Sequence, residues 1–504
     1  MNDSLIRTEA EDSAAEVPKT SSRALFWRVF PSIMLPMFLA VADQTIVATA
    51  LPNIASDLGD VERVSWVVVS YLIANTIAAP VYGRLGDSFG RKPMMLGALG
   101  VFVLGSVLCA FAPSILILTA TRVLQGFGGG GLMTLSQALV GETIPPRERG
   151  RYQGFLAGVA VSSSTFGPVA GGYLTQAFGW RSVFLVNVPL GLAALVLVLR
   201  LQTRPGAWRW TMFDAPGLIF FTMFVGPLIL ALEQVHRMDV RSLPAIFGLT
   251  AFGAAALFAL IWQEKHSSSP LIPPALFREP SVWRADGLAA CHGAALVSLV
   301  TFLPIYLRAV RGTSPAETGL LLLPLMFGIG IGSLVTGQLV TRTGRTALFP
   351  SYGYLAATAG LLFLAFRIQD LTLSELPWAF GSTALFMGTV MGVVQVTVQA
   401  VAGQRMLGTG AAMVQFSRSV GAAFGTAVVA TVLFSALAAT DRETASLFAT
   451  MIDQGPEAIA SLAPARRAVV EAEIGQAFRA AFITVAAFTG IGAWLSLSMP
   501  LRRI

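Results

Sequence analysis

Three ionisable side chains lie inside long apolar runs of this 504-residue chain, where a charge is costly: Asp43, Arg122 and Arg418. A carboxylate in hydrocarbon is either paired or binds a proton, so Asp43 is a candidate proton carrier. At about 1.5 Å per helical residue, Arg122 lies at a depth similar to that of Asp43. The two side chains could therefore pair. We favour proton coupling over the alternative of a purely structural ion pair.

Arg418 is predicted near the middle of its apolar run, without an acidic partner at mid-membrane in the second half of the chain. Asp286 is predicted at the edge of its run, which would leave Asp43 as the one deeply buried acid. Backbone carbonyls or glutamines could satisfy Arg418, so both a structural and a substrate-contacting role stay open. A largely apolar cavity is expected to hold a few polar side chains, namely Asn75, Gln125, Gln137, Gln395, Gln399, Gln415 and Arg418.

The elements that must position these side chains are membrane helices. Hydrophobic residues make up 55% of the chain, charged residues only 12%, and the mean hydropathy is +0.70. A bilayer-spanning helix needs roughly 20 apolar residues. Fourteen such runs follow a polar tail, 1–27, that we expect to be disordered; they lie near 28–51, 64–83, 94–112, 115–139, 154–175, 182–200, 215–233, 243–262, 285–307, 319–340, 347–366, 376–400, 409–437 and 480–499.

A basic, glycine-rich turn at 83–92 recurs in degraded form at 337–345, with the same offset of 254 residues throughout. Gly167 and Gly171 recur at this offset as Gly421 and Gly425. Internal repeats of this kind are typical of secondary transporters. They predict an all-α membrane protein of two pseudo-symmetric six-helix bundles, 28–200 and 285–504, separated by a linker and two-helix insertion, 201–284. An external loop near 438–479 is expected to be a solvated cap that carries a short amphipathic helix, with substrate gating as the alternative.

Several motifs resemble those of the major facilitator superfamily, specifically its fourteen-helix drug:proton antiporter family. The turn 83–92 resembles the superfamily's loop between helices two and three. The other matching motifs are Asp43–Val47 running into Ala50–Pro52 in helix one, Leu118, Arg122, Gln125, Gly126 and Gly128 in helix four, Gly158 with Gly167–Gly172 in helix five, and Trp180–Arg181 through Asn187–Pro189 at helix six. The resemblance implies multidrug efflux, and the helix-five motif implies antiport.

Two of these motifs are candidate gating elements. Asp87 could face the positive N-terminal end of a helix from the other half, a contact that favours one conformation. The second copy has Thr341 there, so its contact should be weaker. The small residues of the helix-five motif are expected to admit a close neighbour from the other half. The complete set of gating candidates is Gly83, Asp87, Gly90, Arg91, Gly167, Pro168, Gly171 and Gly172.

The function predicted is secondary active export in exchange for protons. No Walker motif, cofactor site or converging catalytic set is present in the sequence, so we expect neither an enzyme nor an ATP-driven pump. With a single deep carboxylate, the expected cargo is a lipophilic monocation or a neutral compound. Export of one endogenous metabolite, lipid or siderophore, and uniport or import, remain alternatives.

Basic residues concentrate in alternate loops, which predicts that both termini are cytoplasmic. The net charge of +7 is spread over these loops rather than on one face, so no nucleic-acid partner is expected. The partners expected are a small-molecule substrate, protons and the lipid bilayer. We expect a monomer in a bacterial inner (plasma) membrane.

Overall fold

A computed structural model describes residues 22–60, 63–201, 214–236, 243–454 and 462–503, and this part of the chain is built from helices. Helices suit a chain of this hydropathy because each satisfies its own backbone hydrogen bonds in lipid. Thirteen helical segments among the described residues are long and apolar enough to cross a membrane. The all-helical membrane fold predicted from the sequence is confirmed.

The first half contains seven helices, two of which share one apolar run: α1 Ser22–Leu58, α2 Trp66–Phe89, α3 Arg91–Ala110, α4 Ile115–Thr143, α5 Arg149–Phe178, α6 Ser182–Leu185 and α7 Asn187–Leu199. Helix α1 begins six residues before the predicted run. The predicted linker at 201–214 falls mostly outside the described residues.

A two-helix hairpin follows, α8 Ala215–His236 and α9 Leu243–His266. The second half then comprises α10 Pro274–Arg278, α11 Pro280–Arg311, α12 Pro315–Thr343, α13 Leu348–Arg367, α14 Leu376–Met387, α15 Met391–Ala402, α16 Leu407–Thr440, α17 Arg442–Gln454 and α18 Pro464–Leu497. The predicted external loop at 438–479 is therefore largely helical, because α17 forms within it and α18 begins long before residue 480.

Helix α5 is 30 residues long but is absent from the thirteen apolar segments, since glycine and serine replace large apolar residues along much of it. It packs between α1 of its own half and α12 of the other half. Protein rather than lipid thus covers much of its surface. Small residues at such positions allow helices to approach closely.

The most extensive contacts between the two halves are made by two pairs of helices, α2 with α16 and α5 with α12. A Cβ added at Gly83 would lie 2.6 Å from the Gly408 carbonyl oxygen, and one at Gly150 would lie 3.0 Å from that of Gly337. Gly83 and Gly337 are equivalent positions of the sequence repeat. The two contacts lie at the same end of the molecule, which we call the Asp87 side.

The hairpin α8–α9 packs against the α2–α16 contact. Phe221 of α8 shares an apolar cluster with Val69 of α2, and its ring centroid lies 5.1 Å from that of Phe416 of α16. The insertion therefore touches both halves.

Helix α4 occupies the interior of the first half, where glycines 128–131 bring it against α2 and α3.

Candidate functional site

Asp43 lies at the centre of a buried polar network inside the first half. Its Oδ2 accepts a hydrogen bond from Arg122 Nη1 at 2.5 Å, in an ion pair whose side chains are 0% and 1% exposed. Its Oδ1 accepts from Gln125 Nε2 at 2.8 Å and from Asn187 Nδ2 at 2.7 Å. A cation and two amide donors therefore satisfy both oxygens of this carboxylate in the present conformation.

Four helices of one bundle supply the network. Arg122 and Gln125 are three residues apart on α4, so both face Asp43 of α1. Asn187 is the first residue of α7, and the break between α6 and α7 at Val186 brings its amide inward. Ser106 of α3 accepts from Gln125 Nε2 at 2.8 Å and thereby fixes the orientation of that amide.

Arg122 is held on its other sides by α2 and by aromatic rings. Its Nε donates to the Val67 carbonyl oxygen at 3.1 Å, and the centre of its guanidinium lies 4.1 Å from the Tyr71 ring centroid. A stacked arginine of this kind gains cation–π stabilisation as well as the ion pair. The site is therefore a closed unit in which Asp43 cannot change charge without disturbing α2, α4 and α7.

Gln125 does not belong to the cavity predicted from the sequence. Its side chain is fully buried and bonded to Asp43, Arg122 and Ser106. Conversely, the sequence reasoning missed Asn187 and Ser106 as site residues. Asn187 lies 144 positions after Asp43 in the sequence. The one sequence feature that could have identified it as a site residue is its polar side chain within an apolar run.

The other predicted cavity residues occur along the contact between the halves, and we call Asn75, Gln137, Gln395, Gln399, Gln415 and Arg418 the interface cluster. Asn75 of α2 and Gln415 of α16 both approach the Met133 sulfur of α4, at 4.0 and 3.8 Å. Gln399 of α15 donates to the Gln137 carbonyl oxygen at 2.9 Å. Gln395 lies one helical turn before Gln399, on the same face of α15.

Several polar atoms of the interface cluster have no hydrogen-bond partner among the described residues. They are Gln137 Oε1, Gln395 Nε2, Gln399 Oε1 and Arg418 Nε. An unsatisfied buried polar atom costs about 1–3 kcal/mol, so such atoms are uncommon in a resting core. A molecule bound between the two bundles would gain hydrogen bonds from these four atoms.

Asp87 connects the two halves on the Asp87 side. Its Oδ1 accepts from Gly408 N at 2.9 Å, and its Oδ2 accepts from Thr409 N at 2.8 Å and Thr409 Oγ1 at 3.0 Å. Gly408 and Thr409 lie in the first turn of α16, whose free N–H groups and dipole favour an anion. Arg91 donates to Asp87 and also pairs with Glu142, which holds the carboxylate in place.

Three further gating candidates have local structural roles. Gly90 joins α2 to α3 with φ of 97°, a conformation that side chains other than glycine rarely adopt. Gly83 makes the close approach to α16 described above. Pro168 lies within α5, which continues as one helix past it. Thr341, the counterpart of Asp87, instead donates to the Gly337 carbonyl oxygen of its own helix at 2.8 Å.

The expectation that the helix-five glycines face the other half is wrong. Cβ atoms at Gly167 and Gly171 would collide with Thr45 and Ile46 of α1, which belongs to the same half. A Cβ at Gly172 would meet nothing within 4 Å. The other half instead meets the face of α5 that carries Gly150 and Gly154, two turns or more nearer the Asp87 side.

Asp43 is also not the only deeply buried acid. Asp286 of α11 is 4% exposed, and neither carboxylate oxygen has a hydrogen-bond partner among the described residues. It shares a face of α11 with Ala290 and Gly293, which touch α16. The helix begins at Pro280, earlier than the predicted run, and this places Asp286 inside the bundle rather than at its edge.

Metal ligation finds no support in the described part of the chain, where no group of three or more His, Cys, Asp or Glu could hold an ion. The two cysteines, Cys109 and Cys291, are free. The chemistry that the arrangement offers is proton binding at Asp43, hydrogen bonding at the interface cluster and a separable contact at Asp87.

Comparison with known proteins identifies the family of the chain. A family profile described as Major Facilitator Superfamily matches residues 33–426. An MFS-type transporter of Mycobacterium tuberculosis is 35% identical over 404 residues, which cover 79% of this chain. The chain spans 58% of the length of that relative.

Two Bacillus subtilis proteins are also similar. The multidrug transporter protein MdtP is 29% identical over 82% of this chain and 76% of its own length. Multidrug resistance protein 3 is 32% identical over 70% and 68%. Among solved structures, the human organic anion transporter MFSD10 matches with a TM-score of 0.64 at 14% identity, covering 93% of this chain and 99% of its own. That likeness bears on the fold alone.

Proposed function

The chain belongs to the Major Facilitator Superfamily and is a multi-pass membrane transporter, and from that premise we propose that it exports lipophilic compounds in exchange for protons by alternating access. The observation that carries the proposal is the sealed Asp43 network. A membrane-embedded carboxylate held by side chains of two other helices, α4 and α7, can couple its protonation to movement of those helices. The efflux and multidrug names of the relatives support the direction of transport.

Protonation of Asp43 would remove the charge that holds Arg122. The carboxyl group would then become a donor, and one of the bonds from Gln125 or Asn187 would be lost. Loss of one partner of a buried ion pair costs about 3–5 kcal/mol, so the bundle gains from rearranging. Release of the proton restores the network seen here. The two charge states of one side chain thus favour two conformations.

The Asp87 contact supports the second requirement, a gate. With the N-terminus in the cytoplasm, as the distribution of basic residues predicts, the Asp87 side faces the cytoplasm. The present conformation would then be closed towards the cytoplasm and able to open outwards. When the cytoplasmic side opens, Asp87 must leave the first turn of α16. The favourable interaction between its carboxylate and the N-terminal end of that helix is then lost.

Neutral lipophilic compounds fit the site better than monocations do. Asp43 is surrounded by Arg122, Gln125 and Asn187, so a cationic substrate would have to displace a fixed arginine to reach it. The interface cluster offers amides and the flexible Met133 side chain, which suit varied neutral ligands.

Everted membrane vesicles from a pump-deficient bacterium test the proposal. We expect that neutral lipophilic dyes added to vesicles with a proton gradient will collapse that gradient when the chain is present, and that cationic dyes will do so less. Asp43→Asn should abolish the response, and the double variant Asp43→Asn/Arg122→Gln should do so without leaving an unpaired cation.

Asp57→Asn is the matched control, because Asp57 is a half-exposed acid on the same helix, bonded to Trp180 and Arg181. Dye-driven proton movement by the Asp43 variants at the wild-type rate would refute proton coupling through this residue.

A further inference from the structure

Arg418 is a cation near mid-helix in α16 that has no anionic partner among the described residues. It lies eleven residues from the start of α16 at Leu407, which is about 16 Å along the helix. An arginine at such a depth normally pairs with an acid or lines a water-filled cavity. Among the described residues, no carboxylate forms an ion pair with Arg418.

The hydrogen bonding of Arg418 is also incomplete. Its Nη2 donates to Gln415 Oε1 at 3.2 Å, while its Nε is buried and has no partner in the described part of the chain. A guanidinium carries five N–H donors in a planar fork that matches a carboxylate. The Nε donor of the side chain is therefore left unused among the described residues.

The position of Arg418 is that of a ligand-binding group rather than of a lipid-facing one. Gln415, its hydrogen-bond acceptor, reaches across to the Met133 sulfur of the first half. Asn75 approaches the same sulfur from α2. Arg418 thus lies beside the contact between the halves, where a substrate must pass during alternating access.

Neither Asp43 nor Asp286, the acids buried in α1 and α11, neutralises Arg418. Asp43 is fully engaged with Arg122 inside the first half. Asp286 lies on α11, a helix that packs against α16, yet its oxygens accept no hydrogen bond from Arg418 or from any other described residue. The positive charge at the interface cluster is therefore left for a ligand to balance.

We infer that the interface cluster binds lipophilic compounds that carry an anionic oxygen, such as a carboxylate, and that Arg418 is the residue that selects for it. The inference rests on the proposed export function and narrows its cargo, which the sequence alone assigned to monocations or neutral compounds. A ligand carboxylate that accepts two charge-assisted hydrogen bonds from the Arg418 guanidinium would use its free donor. Met133 and the adjoining apolar side chains would hold the rest of the molecule.

The test compares three probes with one body and different head groups: 1-pyrenebutyrate, its methyl ester and the matching trimethylammonium compound. Binding to the purified full-length chain in nanodiscs is measured by fluorescence, with empty nanodiscs as the partition blank. We expect the acid to bind about 10–100-fold more tightly than the ester, the range that a hydrogen-bonded charge contributes. We expect the cation to bind most weakly of the three.

Variants then assign the preference to one side chain. Arg418→Gln should lose the preference for the acid and keep its affinity for the ester within about twofold, a result that also shows that the protein is folded. Arg418→Lys should keep most of the preference, and Arg308→Gln, at an exposed arginine of α11, should keep all of it. Equal binding of acid and ester by the wild type, or an equal loss of both probes in Arg418→Gln, would overturn the inference.

The vesicle assay separates this inference from the proposed function. Proton-coupled export of neutral dyes without any preference for the acid would refute the anion site alone. Preferential binding of the acid without any cargo-driven proton movement would refute proton-coupled export and leave the anion site standing.

Discussion

Asp87 and Thr341 occupy equivalent positions of the sequence repeat, but only Asp87 reaches the other half. Asp87→Ala removes an anion from the first turn of α16. We expect it to weaken the closed Asp87 side by about 1–2 kcal/mol, a roughly 5–30-fold change in population. A cysteine placed at Gln137, in a background without Cys109 and Cys291, should react faster with an impermeant thiol reagent added from the Asp87 side.

Thr341→Ala is the matched control, because Thr341 bonds only within its own helix. We expect it to leave the labelling rate at Gln137→Cys unchanged. If both variants, or neither, changed the labelling rate, Asp87 would have no special role in closing this side.

At the residue scale, the sequence predicted the pairing of Asp43 with Arg122, but it did not predict the other side chains that bond to them. Asp43 and Arg122 were identifiable because ionisable groups are rare in apolar helices and the two residues lie at matching depths. The roles of Asn187 and Ser106 could not be deduced, since they depend on the break at Val186 and on which helices are neighbours. Asp286 was misplaced because the start of α11 was set too late.

At the scale of helix packing, two adjacent glycines of α5 provide a direct comparison. Gly171→Ala puts a Cβ 2.6 Å from the Ile46 carbonyl oxygen of α1, whereas Gly172→Ala meets nothing within 4 Å. Both changes gain the same helix propensity, so their difference isolates packing. We expect Gly171→Ala to be less stable than Gly172→Ala by about 1–3 kcal/mol, the usual cost of overpacking.

Thermal unfolding of the two purified variants in one detergent measures this difference. We expect Gly172→Ala to unfold at or above the wild-type temperature and Gly171→Ala to unfold below it. Identical unfolding temperatures would mean that α1 and α5 are not in close contact at this point.

The hydropathy of the sequence predicted where the helices lie, but it did not predict where two of them are broken. The runs at 182–200 and 376–400 each contain a break in the helix, and hydropathy alone does not locate these breaks at Val186 or near Thr389. Helix α17 lies in a stretch too polar to be predicted as a membrane helix. Asp441 caps it by accepting from Glu443 N at 3.1 Å, and the hydrogen bond from Arg466 lowers the pKa of Asp441 to about 2.

At the scale of the whole molecule, the 254-residue offset correctly identified equivalent contacts in the two halves. Gly83 and Gly337 both approach a glycine of the opposite half at the Asp87 side. The offset could not reveal that the two halves carry different charged side chains in their interiors. The first half carries the Asp43–Arg122 ion pair, whereas the second half carries Arg418, which forms no ion pair among the described residues. We therefore expect the two bundles to bind different ions.

This division of charge predicts how membrane potential drives transport. Export of a carboxylate in exchange for one proton moves two positive charge equivalents inwards, whereas export of its neutral ester moves one. A potential of 100 mV supplies about 2.3 kcal/mol per charge. In proteoliposomes, imposing such a potential should therefore raise the steady-state gradient of the acid by about the square of the factor found for the ester.

Potassium gradients with valinomycin set the potential for this measurement, and 1-pyrenebutyrate with its methyl ester are the probes. The same factor for both compounds would contradict the combination of one coupled proton and an anionic cargo.

The central claim is that cargo and proton are exchanged through Asp43, and proton release by the purified protein tests it most directly. Cargo that favours the ionised state of Asp43 should release protons, at most one per chain, from those molecules in which Asp43 is protonated, when it is added to the protein in lightly buffered solution with a pH indicator present. Asp43→Asn/Arg122→Gln should bind the same cargo and release none, and Asp57→Asn should behave as the wild type does. Unchanged proton release from the Asp43→Asn/Arg122→Gln variant would contradict the account.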